Sequence, residues 1–455
     1  SLPIVKDINF FNYKADNILL GGLCLSILWD RVKIKMKKLI YITGKIDSPF
    51  FSNEIDVMKE YFNSIHVISY DKFNKKIEEM SKKHDFTFDT LGDKKFNLNN
   101  AIELIKWTKE ICFKEEITEK VSFNLCGIKR LLYIIYYGIY YCKIKNIIDD
   151  KIEDNIDIYL YSFWLSRAAY SIAVFNINRI PQIKRIVSRT HRYDLYEEEN
   201  RYKFLPFRKF IAENLDTIYF SSNDSNMYYK NKKYSKKEKQ ALCKLSYLGT
   251  LSRDFTVDYS HKNKLTIVSC AYISKRKRLD LIVDLIKKLN EQVDEILWIH
   301  IGSGELEEKI KSYASLKLEK GIYEFKGNVE DKEIFEIYKK YNPDFFVNLS
   351  DSEGIPVSLL EALSVGIPGV ARNIGGNSDA IINNFNGILL SPSFPNEQLM
   401  IETANKIVSI YTDQKQHIKM SQNARKLWEE RFDANRNIAK ICMDIINGDT
   451  IKEIG

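Results

Sequence analysis

The sequence predicts an α/β protein built from two Rossmann-like, doubly wound parallel-sheet domains in tandem. Three observations predict it. From residue 38 to about 222, short β-type runs at 39–43, 65–69, 156–162, 185–190 and 217–221 alternate with longer apolar-periodic segments. The same alternation returns from 264 onward, with runs at 265–270, 296–301, 322–325, 345–349, 369–372 and 387–390. Between the two sets, 249–263 is polar and aperiodic, as a linker would be. Strands alternating with helix-length segments imply crossover connections and parallel sheets.

At 455 residues the chain can fill two hydrophobic cores. A formal charge of +8 is too small at this length to imply a nucleic-acid partner. Seven scattered cysteines without a Cys-x-x-Cys pair, and six histidines without a close pair, point to reduced thiols in a cytoplasmic protein and to no structural metal. The longest apolar stretches, 18–29 and 131–142, fall short of the roughly 20 residues a spanning helix needs. No secretory signal is expected. Residues 1–36 read as an extension ahead of the first strand; whether they form a docking helix is left open.

The segment from Asp344 to Gly376 carries most of the functional information. An apolar run of strand length ends near Ser350, and helical character begins at Val357. Pro356 suits the first helical position, and Gly366 with Pro368 is a stop signal. Strand, loop, helix and strand make a βαβ unit whose loop opens at the carboxyl edge of the sheet. There the free N–H groups of Val357 and Ser358 form an anion site. Glu353 lies in the loop, and Glu361 lies just over one turn into the helix, leaning back toward it. Two carboxylates beside a phosphate site suit a sugar nucleotide, with an anionic centre and hydroxyl-rich ends.

Glu353, Gly354, Ile355 and Pro356, followed by Glu361 and by Gly375-Gly376, resemble the Glu-x7-Glu signature of retaining glycosyltransferases with the GT-B fold, family four or group one. The resemblance implies that Glu353 lies near the transferred sugar and Glu361 binds the nucleotide ribose, with the turn from Gly354 to Ser358 holding the donor. It implies an acceptor-side domain over 37–250, a donor domain over 263–430, and a final helix over 431–455 that crosses back, the break falling at Phe432-Asp433. Anomeric retention is implied, with the leaving diphosphate helping to accept the acceptor's proton and no metal required. The co-substrate is a nucleotide sugar, UDP before other bases; there is no bound cofactor.

Other motifs extend the resemblance. Lys277, in the basic run 275–278, matches the family's phosphate-binding lysine; Tyr272 stands where the family carries an arginine, which leaves Lys275, Arg276 or Arg278 to supply the second cation. Fixed cations there would stabilise charge developing on the leaving group. Gly302-Ser303-Gly304 resembles the family's Gly-Asp-Gly turn, and Lys326-Gly327 its base-binding loop, while Asp379 falls where many relatives carry Glu. In the first domain His191, followed by Asp194, resembles a His-x-x-Asp element near the sugar, and 161–167 resembles a branch that builds bacterial surface polysaccharides. Gly44 and Lys45 follow the first strand, on the acceptor side.

A glycan or polyprenyl-linked acceptor is expected. The lysine-rich stretch 229–240 is a candidate for peripheral contact with an anionic membrane at the inner face of the cell, whereas the helix over 131–142 is expected to be core. The competing readings are a degenerate GT-B binding or chaperone subunit, and another GT-B enzyme such as a sugar-nucleotide epimerase or a phosphorylase.

Overall fold

The computed structural model describes residues 35–448, apart from 47–48, 96, 122–123, 179, 201, 238–239, 260–263 and 392–396. The extension over 1–36 (all but its last two residues), the apolar stretch 18–29, the end of the linker and residues 449–455 therefore lie outside the described residues.

Two parallel sheets organise the chain. The first contains β1 (Met36–Thr43), β2 (Ser64–Ser69), β3 (Thr87–Thr90), β4 (Ile156–Ser162), β5 (Ile183–Thr190), β6 (Thr217–Phe220) and β7 (Leu242–Leu245), in the order β3-β2-β1-β4-β5-β6-β7. The second contains β8 (Leu265–Cys270), β9 (Ile296–Ile301), β10 (Tyr323–Phe325), β11 (Phe345–Asn348), β12 (Gly369–Arg372) and β13 (Gly387–Leu390), in the order β10-β9-β8-β11-β12-β13. Strands covered on both faces need continuous apolar runs, and the six residues of β9 are all buried. β3 and β7, which the sequence reading missed, are four-residue edge strands, partly exposed and without such a run. Strand order reverses between β1 and β4 and between β8 and β11. Crevices open at the carboxyl ends of such switch points, and the candidate site lies there.

The expected helix over 131–142 is the middle of a longer one, Leu125–Asp149. One face is core: Ile134, Tyr137, Tyr141, Ile144 and Ile148 are buried. Gly138 lets Trp107 lie against it, since a Cβ there would fall 2.4 Å from the indole ring. The opposite face of its first turns is not core. Leu125 is 78% exposed, and Ile128 and Leu132 are exposed as well.

The C-terminal helices Gln414–Arg431 and Ala434–Asn447 meet at the expected break, where Asp433 caps the second by accepting from the Arg436 N–H (3.1 Å). Ile438, Ile441, Cys442 and Ile445 then join Leu39, Tyr41, Phe51 and Ile55 in one core cluster, so this helix packs on the first sheet. The linker is pinned at the same break: Thr250 N–H donates to the Phe432 carbonyl (3.0 Å), and Ala434 N–H donates to the Thr250 carbonyl (3.1 Å). A Cβ on Gly249 would fall 2.5 Å from the Ala434 nitrogen. Deeper in, Arg189 donates to buried Glu54 (2.7 Å) and to the carbonyls of Ser246 (3.0 Å) and Tyr247 (2.9 Å). Among the described residues no helix is long and apolar enough to cross a membrane.

Candidate active site

The second sheet's switch point brings Lys277 and Glu353 together. β8 ends at Cys270, a short 3-10 turn spans Lys275–Lys277, and the helix Leu279–Asn290 follows. From this turn Lys277 Nζ donates to Glu353 Oε1 at 2.5 Å, and Arg276 Nη1 stands 3.8 Å from Glu353 Oε2. Glu353 is only 5% exposed, so the lysine is its main counter-charge. Arg276 also donates to the Ser352 carbonyl (2.8 Å), while Arg278 turns aside to Asp280 and Asp351. Asp351 is further bound by Arg372 at 2.6 Å, so it braces the loop between two guanidinium groups. Tyr272 is 59% exposed and brings no charge to the position where the resemblance places an arginine.

The helix after the loop is Val357–Ser364. Pro356 proves to be the residue before its first helical position, with ψ at 121°, a correction to the sequence reading. Its carbonyl accepts from Leu359 and Leu360, and Val357 and Ser358 have no backbone acceptor among the described residues, as an anion site requires. Ser358 Oγ donates to the Cys270 carbonyl (2.9 Å), fixing the helix start against β8. The following Gly375-Gly376 turn is built against Glu353 and Gly354. A Cβ on Gly375, whose φ is +50°, would fall 1.9 Å from the Glu353 carbonyl oxygen, and Gly376 N–H donates to the Gly354 carbonyl (2.7 Å). Ile355 packs over the same turn, close to Gly376.

Glu361 lies one turn further along, partly buried. Burial, and then Asp331, raise its pKa to about 7, against the opposing pull of Arg253. Gly302 has φ +126°, and a Cβ there would fall 2.1 Å from the Ala271 carbonyl oxygen, so this turn packs on the loop after β8. Its N–H donates to the Gly327 carbonyl (2.8 Å), which ties it to the loop expected to hold the base. The Lys326 ammonium is held by Glu324 and by Tyr341 Oη (2.7 Å), which leaves the backbone of this loop, the part expected to meet the base, as its ligand-facing element.

Across the crevice stands the end of β5. His191 is half-buried, its ring 4.3 Å from Phe163 and 4.6 Å from Trp164 between centroids. Burial, and then Arg189, lower its pKa to about 3, so it is neutral at physiological pH, and its Nε2 has no hydrogen-bond partner among the described residues. Asp194 is buried, with oxygens accepting from the N–H groups of His191 (2.7 Å) and Leu165 (2.6 Å); burial raises its pKa to about 7 despite Arg208. Gly44, Lys45 and Asp194 all line one cavity of about 470 Å³ at the β1–β4 switch point.

Arg192, which the sequence reading did not select, joins the two sides. It donates to the Glu353 carbonyl (2.6 Å) and to Ser352 Oγ (2.7 Å), while Glu199 holds its other edge. Its one sequence signal was its place beside His191. Asp379 makes a second bridge, accepting from the Asn223 N–H (2.8 Å). The basic stretch 229–240 is less cationic than its composition suggests: Lys232 pairs with Glu198 (2.7 Å) and Lys237 with Glu213 (2.6 Å). Glu238 and Lys239 lie outside the described residues.

Residues 254–427, which include Lys277, Glu353 and Glu361, match the family model described as glycosyl transferases group 1. The match covers 174 of the chain's 455 residues. Over 158 residues the chain is 23% identical to the UDP-N-acetylglucosamine--peptide N-acetylglucosaminyltransferase GtfA subunit of Streptococcus agalactiae, covering 34% of this chain and 30% of that protein. It is 28% identical over 158 residues to the UDP-Gal:alpha-D-GlcNAc-diphosphoundecaprenol alpha-1,3-galactosyltransferase of Escherichia coli, covering 33% and 37% respectively. The matches thus span about a third of the length of these curated relatives. The crystal structure of HepE from Anabaena in complex with UDP and glucose superposes with a TM-score of 0.57 at 15% identity, over 90% of this chain and 99% of that one. This shows the two-domain GT-B fold. Arg192 and His191 lie outside the matched segment, and Arg192 reaches it from the first sheet.

Proposed function

We propose that the protein is a retaining glycosyltransferase that moves a hexose or N-acetylhexosamine from a nucleotide diphosphate sugar, UDP first, to a glycan or lipid-linked acceptor in bacterial surface-polysaccharide synthesis. The observation that carries this reading is the Lys277–Glu353 pair beside the uncapped amides of Val357 and Ser358. A diphosphate at those amides has Lys277 and Arg276 for charge compensation, and the leaving group gains charge as the glycosidic bond breaks. Glu353 then lies beside the transferred sugar, and Glu361 accepts from the ribose. His191, neutral, serves as a hydrogen-bonding wall of the sugar site. The residues ask for no metal: Asp351, the neighbouring carboxylate, is committed to Arg278 and Arg372.

The acceptor enters from the first domain, and the protein works at the cytoplasmic face of the membrane. The exposed stripe Leu125, Ile128 and Leu132, with Lys129 among them, supports peripheral contact better than the lysine stretch does. Flotation with anionic vesicles tests it, loss of the stripe in Leu125→Ser/Leu132→Ser abolishing binding.

Incubation with UDP- and GDP-sugars, following slow donor hydrolysis, tests the main reading; release of one sugar from one base is expected. A second reading, a non-catalytic GT-B binding subunit, is favoured by Tyr272, an exposed tyrosine where the resemblance places a phosphate-binding arginine. Nucleotide binding without any turnover would decide for it.

A further inference from the structure

The cavity of about 470 Å³ in the first domain has aromatic walls, among them Phe163, Trp164 and Tyr193. Its charges are unbalanced. Arg167 and Lys45 line it, and its one carboxylate, Asp194, is already engaged by the N–H groups of Leu165 and His191. Arg167 is partly buried and has no ion pair among the described residues, and its Nε has no acceptor there. The guanidinium is held instead by ring faces, 4.1 Å from the centroid of Tyr70, 4.4 Å from Tyr140 and 5.1 Å from Tyr136. Ring faces orient the cation, the Tyr140 hydroxyl takes a hydrogen bond from it, and its Nε–H is left without an acceptor among the described residues. Arg167 also opens the helix Arg167–Asn178, where the helix dipole disfavours a cation. A sheltered, pre-oriented fork of donors in an otherwise aromatic void is complementary to an oxyanion.

We propose that this cavity binds the anionic group of a sugar-bearing acceptor, with Arg167 forked onto a phosphate or carboxylate, Lys45 at the rim, and Trp164 and Tyr193 against the sugar face. The acceptor role rests on the glycosyltransferase reading; anion binding at Arg167 does not. An acceptor lacking a negative charge near its sugar would leave the partly buried Arg167 guanidinium without an anionic partner.

The test is calorimetry on the full chain saturated with UDP, titrated with N-acetylglucosamine 1-phosphate, glucuronic acid and uncharged methyl N-acetylglucosaminide. At least one anionic sugar is expected to bind about 10-fold or more tightly than the methyl glycoside, the order of a charge-assisted bidentate contact. The stronger anion identifies the group as phosphate or carboxylate. Arg167→Met should remove this margin without changing UDP affinity. Arg167→Lys, which keeps charge and bulk but not the planar fork, should lose most of it. Equal binding of all three sugars, or a margin that survives both substitutions, overturns the proposal. If UDP itself fails to bind the wild type, the glycosyltransferase reading falls separately, and the anion margin is read on the nucleotide-free protein by the same criteria.

Discussion

Lys277 Nζ and Glu353 Oε1 lie 2.5 Å apart, the lysine side chain 14% exposed and the glutamate 6%. The pair joins the loop after β8 to the loop after β11, the two strands that flank the second switch point. Removing one partner alone leaves an uncompensated charge in a poorly solvated place, which costs about 3 kcal/mol. Lys277→Met should therefore lower stability by that order and transfer at least ~100-fold. The double substitution Lys277→Met/Glu353→Gln should recover most of the stability and none of the transfer. Denaturant melts with donor-turnover rates check both; a double variant that turns over at near the wild-type rate contradicts the assignment.

Glu361 gives a pH signature. Its folded-state pKa of about 7 lies above the unfolded value near 4.5, so between these limits the folded protein binds the extra proton. Stability from this group is thus present at low pH and declines as pH rises from about 4.5 through 7, by on the order of 3 kcal/mol at most. Glu361→Gln should be more stable than wild type at pH 8 and nearly equal at pH 4.5. Ribose hydroxyls prefer the ionised acceptor, so uridine affinity should rise between pH 6 and 8 in the wild type and stay flat in Glu361→Gln. Uridine is chosen because it carries no phosphate that titrates there.

Gly375→Ala tests the packing of the turn on the loop. The added Cβ would fall 1.9 Å from the Glu353 carbonyl oxygen, the same atom that accepts from Arg192. The loop must move, displacing both Glu353 and the contact between the sheets. A loss of about 10-fold or more in turnover is expected, with a stability cost of about 1–3 kcal/mol. Turnover within twofold of wild type would show that the loop's placement does not matter.

Arg189→Met addresses the connection behind the site. Arg189 is the buried partner of Glu54 and donor to two carbonyls just ahead of the linker, those of Ser246 and Tyr247. Its loss should destabilise by about 3–5 kcal/mol, and Arg189→Met/Glu54→Gln should recover part of that. Thermal melts of the wild type and the two variants check the order.

Much of this architecture was legible in the sequence because buried parallel strands need uninterrupted apolar runs: β9, β11 and β12 announce themselves, whereas the short edge strands β3 and β7 do not. The Glu353–Glu361 segment was legible because Pro356, Gly366 and Gly375 punctuate it at positions backbone geometry demands. Arg192 was not, since its role depends on the other sheet's loop approaching it, a contact 161 residues distant that no local spacing encodes. The same holds for Lys326. Its loop was expected to meet the base through backbone groups, and the engagement of its ammonium by Glu324 and Tyr341 is what the sequence could not show. Arg167 likewise needed three dimensions, for Tyr70 and Tyr140 come from separate elements to frame it.

A structure of the full chain with UDP bound is the decisive observation. The diphosphate should lie within hydrogen-bonding distance of the Val357 and Ser358 amides and of Lys277 Nζ, with the ribose at Glu361. Nucleotide density in the crevice away from Lys277, or with the ribose turned from Glu361, would contradict the donor site described above.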